Sequence, residues 1–156
     1  RIIKLLENGQ DVALVTDAGT PLVSDPGYRL VKAAIEKGIE TVPIPGPSAL
    51  TTALIASGLP TDSFVFIGFL PQKEGQRKNF LTKLKDEKRT LITFESPERL
   101  LYSLRSLIEI FGDRQICIAR EMTKIHEEFF RGTVKAAIDH FSKNNPRGEV
   151  TLVIGS

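Results

Sequence analysis

Residues 17–27 read Asp-Ala-Gly-Thr-Pro-Leu-Val-Ser-Asp-Pro-Gly, where hydrogen-bonding side chains alternate with residues that leave the backbone open. Asp17, Thr20, Ser24 and Asp25 offer carboxylates and hydroxyls, and Ala18 and Gly19 let a ligand come close to the main chain. The helix expected next presents free N–H groups that can take a carboxylate or another anion. A second stretch, Pro45-Gly-Pro-Ser-Ala49, puts Ser48 at a helix start, where it caps the helix or meets a ligand. Neither stretch is a dinucleotide fingerprint or a Walker-type loop, because the chain has no Gly-x-Gly-x-x-Gly and no Gly-Lys-Ser/Thr.

Two further stretches carry acids and bases. In Phe94-Glu-Ser-Pro-Glu-Arg99, Glu95 ends an expected strand, where ligand-facing loops lie, although a plain helix start explains the run equally well. In Arg120-Glu-Met-Thr-Lys-Ile-His-Glu-Glu128, Glu121 and Lys124 can pair, or either can handle a proton; a solvated charged turn is the plainer reading. His126 and His140 are the only histidines and have no metal-site spacing around them, so no metal is expected. Cys117 lies in an apolar run, which suits a packed small residue better than a nucleophile.

The elements that would position these residues follow from periodicity and punctuation. Arg1–Gly9 reads as the end of an amphipathic helix, and 11–16 and 39–44 as short buried strands. Residues 28–37 and 49–57 read as helices stopped by Gly38 and Gly58, so the first half alternates as a parallel α/β sheet would. After a hinge at 59–62, strands are expected at 64–70, 90–94, 115–119 and 149–156, with an edge strand at 127–131. Helices are expected from Ser96-Pro97-Glu98 to Gly112 and from Gly132-Thr133 to Phe141, with a turn at Asn144–Gly148. The second half thus mixes strands and helices with less strict alternation.

Composition narrows the class without naming it. The chain has 156 residues, 41% hydrophobic and 26% charged, which describes a folded globular chain and excludes a disordered one. Twenty-one basic residues against nineteen acidic ones leave a charge of only +2, too small for a whole-protein field. The excess is local: residues 71–89 hold seven basic and three acidic side chains, a candidate phosphate-contacting surface or a solvated helix face. A single cysteine forms no internal disulfide and fits a reducing compartment, and no apolar run has membrane-spanning length.

Taken in order, Val15–Gly27, Pro45–Ala49, Phe66-Ile-Gly-Phe-Leu-Pro71, Phe94–Arg99 and Ala119-Arg-Glu-Met-Thr-Lys124 closely resemble the tetrapyrrole-methylase superfamily. The Thr-Asp-Ala-Gly-Thr-Pro and Ser-Asp-Pro-Gly pair resembles its RNA-acting branch, since the cobalamin- and sirohaem-pathway members carry a Gly-Asp-Pro-type loop. The resemblance implies an α/β, two-domain fold: a truncated first domain at residues 1–60 and a second domain at 61–156 with a mixed sheet and helices. It implies S-adenosyl-L-methionine as cofactor, folded between the domains. Asp17, Ala18, Gly19, Thr20, Pro21, Val23, Ser48 and Ala49 would line it, with Phe94, Glu95, Ala119, Arg120, Ile154 and Gly155. Glu95, Glu121 and Lys124 are catalytic candidates by position. The implied reaction is methylation of a cytidine ribose 2′-oxygen in 16S rRNA of the small ribosomal subunit by a cytoplasmic homodimer. Two other readings stay open, a methyltransferase acting on a small tetrapyrrole and a non-enzymatic interaction module. Family members begin with a further strand, loop and helix and extend past Ser156, so both termini are expected to be cut points and this fragment inactive alone.

Overall fold

The computed structural model describes residues 1–143 and 146–156. The expected turn at 144–148 therefore begins outside the described residues. The chain separates into two compact units, Arg1–Ser48 and Ala49–Ser156.

The first unit holds helices α1 (Ile2–Glu7) and α2 (Tyr28–Glu36). They are joined by an ion pair from Lys37 Nζ to Glu7 Oε1 at 2.6 Å. The α2 helix starts at Gly27, whose carbonyl accepts from the N–H groups of Leu30 and Val31. The strands expected at 11–16 and 39–44 are not formed: neither segment joins a ladder, and Val15 and Ile44 are each 84% exposed. An apolar run expresses a tendency to be buried, but it becomes a strand only when a neighbour completes its hydrogen bonds. Ala34 is the one buried residue described in this unit.

The second unit is built on a five-stranded mixed sheet of β1 (Phe64–Phe69), β2 (Thr90–Glu95), β3 (Gln115–Arg120), β4 (Glu128–Thr133) and β5 (Val150–Ile154). The order is β1-β2-β5-β3-β4. Only β1 and β2 are parallel. Such a pair needs a crossover, and helix α4 (Glu74–Thr82) lies in it. The other helices are α3 (Ala49–Ser57), α5 (Leu100–Phe111) and α6 (Val134–Lys143), with a 3₁₀ turn at Pro97–Arg99.

Alternation along the strands divides the core between two faces. Leu91, Ile116, Ile118, Val150, Leu152 and Ile154 face a layer made by Leu81 of α4, Leu100, Leu104 and Leu107 of α5, and Val134, Ala137 and Phe141 of α6. On the other face Ile92, Cys117, Ala119 and Val153 pack with Ala53 and Leu54 of α3. Each fully buried leucine of the α4–α5–α6 face contributes roughly 1.5–3 kcal/mol relative to exposure. Helix α3 accordingly packs with the sheet that follows it, and the compact units divide after Ser48.

Register decides which strand ends share an edge. Both β2 and β3 run antiparallel to β5, so they run alike, and Glu95 and Arg120 both stand opposite Val150. Ile154 stands opposite Leu91 and Ile116, at the other edge. Among the described residues no helix is long and apolar enough to cross a membrane.

Candidate functional site

In the first unit, residues 17–27 form a loop of turns and bends instead of regular structure. Its backbone is strained in two non-glycine residues, Leu22 (φ 70°) and Ser24 (φ 59°), besides Gly19 (φ 67°) and Gly27 (φ 134°). Such residues cost roughly 1–3 kcal/mol each and persist where the surroundings hold them. The Thr20 hydroxyl donates to the Pro47 carbonyl at 2.8 Å, so it ties this loop to the Pro45–Ser48 stretch. The two ligand-type loops picked out by composition are therefore held together. Open space surrounds Gly19, where an added Cβ would meet nothing within 4 Å. Asp17, Ala18 and Val23 are exposed, and Thr20, Pro21 and Ser48 are half-buried. A groove beside the loop is lined by Asp17, Asp25, Gly27 and Tyr28 together with Ile2, Leu14 and Val15. Gly27 sits in close packing, since a Cβ there would lie 3.0–3.1 Å from Leu14 and Leu22 side-chain atoms.

In the second unit, Glu95 is buried at the end of β2, with its side chain on the α5 face. One carboxylate oxygen accepts from the Ser96 N–H at 2.9 Å and pairs with the Arg99 guanidinium. The other accepts from the Ser103 hydroxyl of α5. Arg99 also donates to the Ser96 hydroxyl and to the Leu70 carbonyl. The Ser96 hydroxyl makes no cap bond to the helix start; it takes the Arg99 guanidinium, and the helix enters through a 3₁₀ turn. Phe94 points to the opposite face, edge-on to Phe66 and Phe69.

A second polar cluster occupies the same edge at the end of β3. One Glu121 oxygen accepts from the Glu149 N–H and from the Lys124 ammonium, both at 2.9 Å. Lys124 also reaches Glu149 Oε2 at 3.0 Å. The Glu149 N–H, and then Lys124, hold the Glu121 carboxyl below its ordinary pKa, and the two carboxylates raise that of Lys124. Glu121 and Thr123 have positive φ, and the Thr123 N–H donates to Glu127, so the turn is pinned by its own side chains. Beside it, Arg120 Nε donates to Glu128 Oε2 at 2.9 Å, and His140 Nε2 lies 3.1 Å from Glu128 Oε1. Burial by itself would raise the Glu128 pKa, but Arg120 and His140 hold it below the ordinary value.

Phe94, Glu95, Ala119, Arg120, Glu121 and Lys124 thus share one sheet edge, with Phe94 and Ala119 on one face and Glu95 and Arg120 on the other. Ile154 and Gly155 stand at the opposite edge, where the Gly155 N–H donates to the Gln115 carbonyl. Ala49 opens α3. Cys117 is fully buried; burial raises its thiol pKa, slightly countered by Arg131. Ser103, Gly148 and Glu149 join these clusters without belonging to any of the candidate stretches. The signal at Gly148 is that of a turn, a glycine closing an Asn-Pro-Gly-rich run before a strand.

Comparison with known proteins matches residues 1–138 to the family model described as Tetrapyrrole (Corrin/Porphyrin) Methylases. The chain is 54% identical over 153 residues to a Thermotoga maritima protein named Ribosomal RNA small subunit methyltransferase I, covering 98% of this chain and 68% of that protein. Proteins of the same name from Mesorhizobium japonicum and a Synechocystis species are 54% and 51% identical over 99% and 98% of this chain. The chain spans only 53% and 55% of their lengths. Among solved structures, the methyltransferase CobJ aligns with a TM-score of 0.73 at 19% identity over 99% of this chain and 68% of that one. A Thermus thermophilus uroporphyrin-III C-methyltransferase complexed with S-adenosyl homocysteine aligns at 0.60 and 18% identity, over 88% of this chain and 63% of that one. At such identities the structures show a shared fold, whereas the family match and the close relatives show descent: this chain belongs to the tetrapyrrole methylase family.

Proposed function

We propose that the protein is an S-adenosylmethionine-dependent methyltransferase that methylates a cytidine ribose 2′-oxygen in 16S rRNA of the small ribosomal subunit. The supporting observation is the 54% identity, over 98% of the chain, to a relative named as a small-subunit rRNA methyltransferase. Residues 1–60 are read as part of an N-terminal domain and residues 61–156 as the second domain.

The first unit's loop suits the cofactor chemically. Its exposed Asp17 carboxylate, open Gly19 backbone and Thr20 tie to Pro47 combine acceptors with a fixed, accessible main chain. Asp17, Ala18, Gly19, Thr20, Pro21, Val23 and Ser48 are assigned to holding it. When bound, S-adenosylmethionine supplies a methyl group activated on a positively charged sulfur.

On the RNA side, a ribose hydroxyl is a poor nucleophile, and orientation accounts for much of any acceleration. Lys124, kept protonated by Glu121 and Glu149, is suited to donate to the 2′-oxygen or to a neighbouring phosphate. Glu121 holds that ammonium in place and, with its pKa depressed, is a weak base. Glu95 has both oxygens engaged and is assigned as a positioning residue for the start of α5.

The test is transfer of labelled methyl from S-adenosylmethionine to unmethylated small subunits by the full-length protein, with uroporphyrinogen as the competing acceptor. The expected result is label in cytidine ribose and none in the tetrapyrrole. Label in the tetrapyrrole, or no calorimetric binding of S-adenosylhomocysteine, overturns the assignment.

A further inference from the structure

The basic stretch 71–89 does not act as one surface. Arg77 is buried and donates to Ser106 and to the Pro71 and Gln72 carbonyls. Lys78 is held between Glu74 and Glu109 at 2.8 Å each. Arg89 is neutralised by Glu87. Of the four exposed lysines of the stretch without a bonded partner among the described residues, Lys73 stands alone before α4, and Lys83, Lys85 and Lys88 group in the turn after it, with Asp86 as the unpaired acid among them. The turn is clamped from within: Glu87 accepts from the Lys88 and Arg89 N–H groups, and Arg114 donates to the Lys85 carbonyl at 2.8 Å. The three ammonium groups therefore project from a fixed backbone. The turn leads into Thr90, the first residue of β2, whereas Glu95 ends that strand. Five residue steps of strand, about 17 Å, separate it from the edge that carries Glu95, Arg120 and Lys124.

We propose that Lys83, Lys85 and Lys88 bind phosphates of an RNA segment distant from the methylated nucleotide, docking the substrate without orienting the reacting hydroxyl. This rests on the rRNA reading above. Phosphate contacts fix register and dominate salt dependence. At this distance from the candidate site they add affinity for a large folded RNA and leave the chemical step alone.

The test compares the full-length wild type with the K83Q/K85Q/K88Q triple variant and with K78Q. The binding probe is a 16S rRNA transcript over a salt series, and turnover is measured on small subunits. For the triple variant the expected slope of log affinity against log salt is shallower by about 2, from three contacts at roughly 0.7 each. Affinity at moderate salt falls roughly tenfold or more, KM for subunits rises in proportion and kcat stays unchanged. K78Q leaves the slope near that of wild type. A triple variant with wild-type slope and KM, or one that loses kcat instead, overturns the inference while the rRNA reading stands. Wild type that binds no rRNA, or prefers phosphatidylserine vesicles, overturns both.

Discussion

Gly148 lies directly against the carboxyl group of Glu121: a Cβ at 148 would stand 2.3 Å from the Glu121 carboxyl carbon. Gly148 also has φ +82°, a conformation that disfavours any side chain. The Glu121 side chain can move to relieve the contact, but only by leaving the Glu149 N–H and Lys124. Gly148→Ala is therefore expected to destabilise by about 1–2 kcal/mol from the backbone alone, with the loss of Glu121's bonds added. In Glu121→Ala the same substitution should cost only the backbone part. Urea midpoints of the four proteins in this cycle measure the coupling, and strict additivity would show that the two residues do not communicate.

Glu95 and Ser103 connect the end of β2 to α5 through a buried carboxylate. Removing one partner of a buried charged pair leaves the other uncompensated, so Glu95→Gln should cost about 3 kcal/mol. Ser103→Ala should cost about 1–2 kcal/mol. Both should shift the unfolding midpoint. A Glu95→Gln protein that kept its midpoint but lost kcat would mean that Glu95 acts on substrate directly and does not position the helix start.

Arg77 looks like a nucleic-acid contact by composition and is a brace by structure. Its fork satisfies Ser106 and two carbonyls ahead of α4. Arg77→Ala is expected to lower stability by about 2–3 kcal/mol, since it leaves buried acceptors unpaired. Arg77→Lys should recover only part of this, because a single ammonium cannot reproduce the fork. The salt slope of RNA binding should not change in either variant.

Acid sensitivity has a defined sign. Arg89's side chain and N–H, followed by the Lys88 N–H, hold Glu87 at about 2 against an ordinary value of 4.5. Its folded value lies below the unfolded one, so its contribution is complete above about pH 4.5 and is lost as pH falls toward 2. Thermal melts of wild type and Glu87→Gln should differ most at pH 5 and above and converge near pH 2. A gap that widened on acidification would contradict this.

Much of the second unit was legible in advance. Alternating Leu91/Ile92 and Ile116/Cys117, the helical spacing of Leu100, Leu104 and Leu107, and glycine stops carry local physics strong enough to place strands and helices to within a residue or two. Thr133 likewise accepts from the Ala136 N–H, as a cap before α6 should. The ligand-type loops were also visible, because glycine, proline, aspartate and threonine at that density have few uses beyond turns and binding.

What the sequence determined by itself was therefore most elements of the second unit, the class of the loops and, through motif order, the family. Three things depended on the tertiary structure. Residues 11–16 and 39–44 have strand composition but no ladder, because strand formation needs a partner that no local pattern guarantees. The seven cations of 71–89 divide into brace, ion pairs and free charge according to which acids and carbonyls the fold brings near. Glu95 and Arg120 share an edge while Ile154 and Gly155 lie at the other, because strand direction is set by pairing, and pairing joins residues far apart in the chain.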